Sequence, residues 1–200
     1  MPDRNSTLQR FIDATAAGIR AQAMRLPDAM PMADRIFEAL NTTAGVKAGN
    51  APARLAACRH LETALSQARN GPDPIPELTD AFAAIEPEFE WTRRPESTHA
   101  TADFHDSHAN AIIVGKGGLE VRQDVRIGVS LVAPDTHYPR HHHPPEELYV
   151  VLSPGKWMQD DNAFTFKQSG YLVHNVPNIW HAMQATNMPL LAIWCLWEGD

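Results

Sequence analysis

Residues 137–149 constrain this chain more than any other stretch. They run His137, Tyr138, Pro139, Arg140, His141, His142, His143, Pro144, Pro145, Glu146, Glu147, Leu148, Tyr149, and hold four of the ten histidines. Tyr149-Val150-Val151-Leu152 follows at once and reads as β-strand. On a strand, residues of one parity share a face. His141, His143, Glu147 and Tyr149 are all odd-numbered. With that parity kept through Pro144-Pro145, two imidazoles, a carboxylate and a phenol point into one space, as a metal site requires.

The chain around this stretch has 200 residues, enough for one domain of ordinary size. A hydrophobic fraction of 44% and a charged fraction of 20% are those of a soluble globular protein. A net charge of -7 with no basic stripe argues against a nucleic-acid partner. No run of about 18 apolar residues predicts a membrane span. Met1 to Ser6 lacks the charged-then-apolar pattern of a signal segment. Cys58 and Cys195 lie far apart and read as buried free thiols, which suits a reducing cytoplasm.

The texture changes along the chain. Apolar spacing predicts helices over residues 6–26 (capped by Ser6 or Thr7), 33–40, 52–69 and 76–85. An acidic, aromatic connector, Glu86 to Pro95 with Trp91 at its centre, is expected to cover a barrel mouth or edge, or to face a substrate. From Asn110 the pattern is β. Val125, Ile127, Val129 and Leu131 alternate as in a half-buried strand, and short runs at 164–166, 170–173 and 190–197 follow between Gly/Pro turns. The expected class is mainly β with a helical N-terminal region, a sandwich or barrel. Residues 1–95 form the helical part, packed on the barrel or pairing chains in a homodimer, and 96–200 form the barrel with the metal site.

The string His141-x-His143-x-x-x-Glu147-x-Tyr149, with a later Pro177-Asn178-Ile179-Trp180-His181, resembles the two motifs of the cupin superfamily. The resemblance implies a double-stranded β-helix (jelly-roll barrel) holding one divalent metal. His141, His143 and Glu147 of the first motif and His181 of the second would be its ligands. Mixed nitrogen and oxygen donors suit Zn, Fe, Mn, Ni or Co. This chain departs from the pattern at turns. The glycine expected before the first histidine falls at Asp135, the glycine after the glutamate comes one residue late at Gly155, and the glycine of the second motif is missing. By parity His142 points away, and His174 reads as structural. His60, His99, His105 and His108 show no partner pattern, although His105 and His108 fall where a loop would lie at the barrel mouth.

Metallocupins in general do not need Tyr138 and Tyr149. The longer string Tyr138-x-x-His141-x-His143-x-x-x-Glu147-x-Tyr149 is similar to that of the cupin-type dimethylsulfoniopropionate (DMSP) lyases, in particular the short DddQ-like group. A length near 200 residues, a helical N-terminal part and a tryptophan-rich last strand agree with that group. The resemblance implies a carbon–sulfur lyase that splits DMSP into dimethyl sulfide and acrylate. Such a β-elimination removes a weakly acidic proton alpha to a carboxylate, and a cation on that carboxylate stabilises the charge that develops. A base is also needed. A free tyrosine has a pKa of about 10, which a nearby dication lowers. Tyr149 is expected as base or metal ligand, and Tyr138 as base or substrate donor. The alternative for each is a core tyrosine with its hydroxyl satisfied.

A sulfonium cation is held by aromatic faces, worth roughly 0.5–2 kcal/mol each. Trp180, Trp194, Trp197 and Trp91 are the expected substrate-binding residues, with Phe166 also available; Trp194 and Trp197 differ in parity, so one of them at most faces the lumen. Arg122, Arg126 and Arg140 are the cationic candidates for holding a carboxylate, and each is expected to be solvated instead. Two other readings compete: a metallocupin dioxygenase or isomerase on another small organic acid, and a non-catalytic ligand-binding cupin.

Overall fold

The computed structural model of the chain describes residues 4–46, 51–94 and 102–199. His99 and the boundary expected at 95/96 lie outside them. The first helix, α1 (Ser6–Arg20), is capped by Asn5, whose side chain accepts from the Thr7 N–H at 2.8 Å. It stops short of the expected residue 26. Leu26 precedes Pro27 and takes an extended φ of -141°, as the proline ring demands, and the chain unwinds through i→i+3 bonds before it. Helix α2 (Met30–Ala39) begins earlier than expected, because Pro31 fits the first turn, where no N–H is needed. The third helix is shorter than predicted. A 3-10 turn at Ala56–His60 leads into α3 (Leu61–Arg69), and Ala53 pairs instead with the connector, through Ala53 N–H to Phe89 C=O and Trp91 N–H to Ala53 C=O. Helix α4 (Ile75–Ile85) falls within a residue of its prediction.

Eleven strands form two sheets among the described residues. They are β1 (Gly45–Val46), β2 (His108–Val114), β3 (Glu120–Val121), β4 (Val125–Val132), β5 (His137–His141), β6 (Glu147–Ser153), β7 (Gly155–Gln159), β8 (Thr165–Lys167), β9 (Leu172–Asn175), β10 (His181–Gln184) and β11 (Leu190–Trp197). The large sheet has the order β1-β3-β2-β4-β11-β6-β9, and the small one β5-β10-β7-β8. This is the cupin double-stranded β-helix, with β4, β11 and β6 at the centre of the large sheet. Two turns that ordinarily want glycine are carried by Asp135 (φ 56°) and Asn178 (φ 64°), the side chains best able to occupy the left-handed region. The missing glycines of the motifs therefore cost the fold little.

Two apolar clusters flank the large sheet. The outer one joins Phe11, Ile19, Phe82 and Leu78 of the helices to Val125, Ile127, Val129, Leu148 and Val150. The inner one holds Tyr138, Tyr149, Val151, Trp157 and Met183. The alternation in β4 predicted a half-buried strand. The helices cover its outer face as well, so seven of its eight residues are buried. Cys58 and Cys195 are buried free thiols. No described helix is long and apolar enough to cross a membrane. Arg122 is not solvated. It is buried, pairs with Glu120 (3.2 Å) and Asp124 (2.7 Å), and donates to the carbonyls of Thr42 and Ala39; Glu120 also takes Arg4 at 2.6 Å. A guanidinium this far from water must bring its counter-ions with it. This cluster ties the chain start to β3.

Candidate metal centre and its cavity

The organising stretch does not run as one strand. His141 ends β5 in the small sheet, Glu147 starts β6 in the large sheet, and Pro144-Pro145 carries the chain between them. Shared parity along one strand is therefore not what assembles the site. The two sheets face each other, and β10 adds His181 opposite His141.

Each histidine is locked by one ring nitrogen. Nδ1 of His141 lies 2.8 Å from the Pro139 carbonyl, Nδ1 of His143 lies 2.9 Å from that of Pro145, and Nδ1 of His181 lies 3.1 Å from that of Ile179. A carbonyl only accepts, so Nδ1 carries the proton in each ring and Nε2 keeps a bare lone pair. Nε2 of His143 and of His181 stand 3.2 and 3.3 Å from the same Glu147 oxygen, Oε2. The donor atoms of His143, Glu147 and His181 all lie within 4.8 Å of one another. His181 Nε2 is buried and makes no hydrogen bond. Lone pairs facing an anionic oxygen repel unless a proton or a metal cation stands between them. His141 flanks this group of three, with its ring centroid 4.1 Å from that of His181 and 6.3 Å from that of His143.

The protonation pattern suits a cation. Burial would raise the Glu147 carboxyl, but the facing imidazoles of His143 and His181 hold it well below the usual carboxylate range. Burial and the neighbouring His181 push His141 down to about 2. Burial opposes protonation of His143, yet the Glu147 carboxylate prevails and raises it. A proton there takes the place that a metal ion would claim. Behind the carboxylate, Asn175 Nδ2 donates to Glu147 Oε2 at 2.8 Å, and Gln159 Nε2 donates to Asn175 Oδ1 at 2.8 Å. Such outer partners orient a metal-binding carboxylate.

The group opens on a cavity of about 460 Å³ between the sheets, whose walls include Tyr138, His141, His143, Glu147, Tyr149 and Trp194. Tyr149 lies two residues beyond Glu147 on β6 and is buried. Burial first, and then the Glu147 charge, hold its phenol well above the usual tyrosine range. Tyr138, on β5, accepts from Asn110 Nδ2 at 3.1 Å and packs edge-on to Phe104. Of the four expected tryptophans, Trp194 alone lines this cavity. Trp91 is in the helical core with its Nε1–H on Glu86. Trp180 is on the surface against Arg140 and His142, and Trp197 lies beneath Arg35. Phe166 is exposed on β8. Arg140 pairs with Asp161 at 3.0 Å while it covers Trp180.

Sequence reasoning set His174 and His108 aside. His174 binds Glu146 at 2.7 Å, and Arg35 of α2 reaches the same carboxylate at 3.2 Å. His108 is buried behind Tyr138, stacked on Phe104. Its Nδ1 lies 2.6 Å from the Phe104 carbonyl, and its Nε2 accepts the Arg94 N–H at 2.9 Å. Asn175, Asn110 and Arg94 went unnoticed. The connector's composition was the one available signal for Arg94.

A family model described as dimethylsulfoniopropionate lyase matches residues 30–192. The chain belongs to the DMSP lyase family. The match includes α2 to α4 and the barrel as far as the start of β11, so the family's region takes in most of the helical part and both histidine motifs. Among curated proteins, the chain is 27% identical over 124 residues to the dimethylsulfoniopropionate lyase DddQ of Ruegeria pomeroyi, covering 62% of this chain and 61% of that one. It thus spans about three fifths of the length of that relative. In fold it is similar to the crystal structure of DMSP lyase DddQ from Ruegeria pomeroyi, with a TM-score of 0.66 at 20% identity over 98% of this chain and 93% of the other. A chain from the crystal structures of the DMSP lyases RdDddP and RnDddQII gives 0.70 at 23%, over 96% and 92%.

Proposed function

We propose that this chain cleaves DMSP by β-elimination to dimethyl sulfide and acrylate, with a divalent transition metal held by His143, Glu147 and His181 and flanked by His141. The observation that carries the reading is the convergence of two Nε2 lone pairs on Glu147, with Tyr149 next along the same strand and facing the same cavity. When bound, the metal (Zn, Fe, Mn, Ni or Co) would act as a Lewis acid toward the substrate carboxylate and draw the neighbouring phenol's pKa down.

The protein's own groups do the rest. Tyr149 is the base: with positive charge facing it, the phenol gives up its proton and as phenolate takes the proton alpha to the substrate carboxylate. The electrons of that C–H bond form the new double bond. The bond between the β-carbon and sulfur breaks, its electrons leave on sulfur, and dimethyl sulfide departs neutral. Acrylate remains, and the phenol returns its proton to water. Tyr138, held by Asn110, orients the substrate from the opposite sheet and is the second candidate for the base. Trp194 offers the sulfonium an aromatic face.

Purified Tyr149→Phe protein tests the assignment. The expected result is metal content equal to the parent with dimethyl sulfide release from DMSP reduced at least a hundredfold, the lower range for a lost general base. Full activity in that variant would remove Tyr149 from the role, and Tyr138→Phe would then be the decisive comparison.

A further inference from the structure

Three arginines line the cavity, and two of them are already neutralised. Arg93 pairs with Asp106 at 2.7 Å and donates to the His105 carbonyl at 3.0 Å. Arg126 pairs with Glu198 at 2.7 Å. Arg94 pairs with no carboxylate among the described residues. Its guanidinium carbon sits 5.8 Å from the centroid of the Tyr138 ring. Its backbone N–H is fastened to His108 Nε2 at 2.9 Å. The cavity's own carboxylates cannot serve it. Glu147 faces His143, His181 and Asn175, and Glu198 is committed to Arg126. Arg94 lines the same cavity wall as Tyr138, His141 and His143, which places it beside the reacting space. A half-buried guanidinium held on an aromatic face, with no carboxylate partner among the described residues, is a ready site for a planar anion.

We propose that Arg94 is the anion anchor of this cavity: its guanidinium takes the carboxylate of a small acid while Tyr138 supports it from below. The identity of that acid as DMSP rests on the function proposed above, whereas the anchor itself accepts any short carboxylate. The arrangement gives the cavity a direction, with one carboxylate oxygen on Arg94 and the other toward the His143–Glu147 group, Tyr149 beside the alpha carbon, and the cationic end toward Trp194. Arg94 therefore acts as a positioning residue.

Calorimetric titration of propionate into metal-replete parent, Arg94→Gln and Arg94→Lys proteins tests this, with metal content and Tm measured on each and DMSP turnover run in parallel. Arg94→Gln is expected to weaken propionate binding by about ten- to a hundredfold, the worth of a lost charge-assisted pair. It should raise KM for DMSP more than it lowers kcat, and Arg94→Lys should recover part of both. Unchanged propionate binding in Arg94→Gln, no propionate binding by the parent, or loss of metal in both variants would overturn the anchor. A parent that binds propionate through Arg94 yet releases no dimethyl sulfide would sink the DMSP reading and leave the anchor standing.

Discussion

Gly128 offers a sharp test of how the cavity wall is built. Cross-strand register places Ile112, Gly128, Trp194 and Tyr149 in one row across β2, β4, β11 and β6. The Trp194 indole lies over Gly128. A Cβ added there would stand 2.2 and 2.3 Å from the indole Cζ2 and Cη2, and 2.5 Å from the Ala111 carbonyl oxygen. Ordinary contact begins near 3.4 Å, so the ring must move by more than 1 Å, the gap between 3.4 and 2.2. Gly128→Ala should therefore cost about 1–3 kcal/mol of stability, as overpacking does. It should also tilt the indole away from the substrate. Losing that aromatic face forfeits roughly 0.5–2 kcal/mol, or about two- to thirtyfold in kcat/KM for DMSP. Thermal melts and dimethyl sulfide kinetics read both numbers, and Trp194→Leu should show the same kinetic loss without the steric strain. If Gly128→Ala keeps the parental Tm and kcat/KM, the indole does not rest on that glycine and the reasoning fails.

Three further outcomes follow from the same geometry. Asn175→Leu leaves Glu147 Oε2 without its 2.8 Å donor and should weaken metal binding about ten- to a hundredfold, read by competition with a chromogenic chelator; an unchanged affinity would show that Asn175 does not orient the carboxylate. In metal-stripped protein, burial holds His108 and His141 below the ordinary histidine value of 6.5, so the unfolded chain takes up those protons first. Their contribution to stability is present above pH 6.5 and falls below it, by up to about 1.4 kcal/mol per pH unit for each; His143, raised by Glu147, contributes stability that is complete below 6.5 and lost as pH rises above it, so it leaves the slope below 6.5 to the other two. Urea melts between pH 7 and pH 5 should thus show falling stability, and His108→Gln, which keeps an acceptor for the Arg94 N–H, should flatten the slope; a slope that does not respond would mean that His108 already titrates as a free imidazole.

The two histidine motifs were legible because their residues are rare and polar in an apolar strand context. Their assembly was not. Parity selected His141, His143, Glu147 and Tyr149 as though one strand carried them, whereas two facing sheets do, with Pro144-Pro145 as the crossing. The glycine departures at Asp135 and in the second motif were legible as turns and harmless for a physical reason, since aspartate and asparagine tolerate positive φ. Tryptophan type says nothing about which wall a ring joins. Trp91 is drawn into the helical core by Phe89 and Glu86, and Trp197 is covered by Arg35. Arg122 was misjudged because, besides its sequence neighbours Glu120 and Asp124, it reaches the carbonyls of Ala39 and Thr42 in a segment far back in the chain, which no local pattern connects. Asn175 meets Glu147 only through the pairing of β6 with β9, so it had no local signature.

The central claim is that a divalent cation at His143, Glu147 and His181 enables β-elimination of DMSP. It is tested most directly by stripping the protein with a chelator, restoring each metal separately, and measuring dimethyl sulfide and acrylate from the same reaction. Reloaded protein should give both products in equal amounts, and stripped protein that is still folded should give neither. Equal release by stripped and reloaded protein, or no release with any metal, would contradict it.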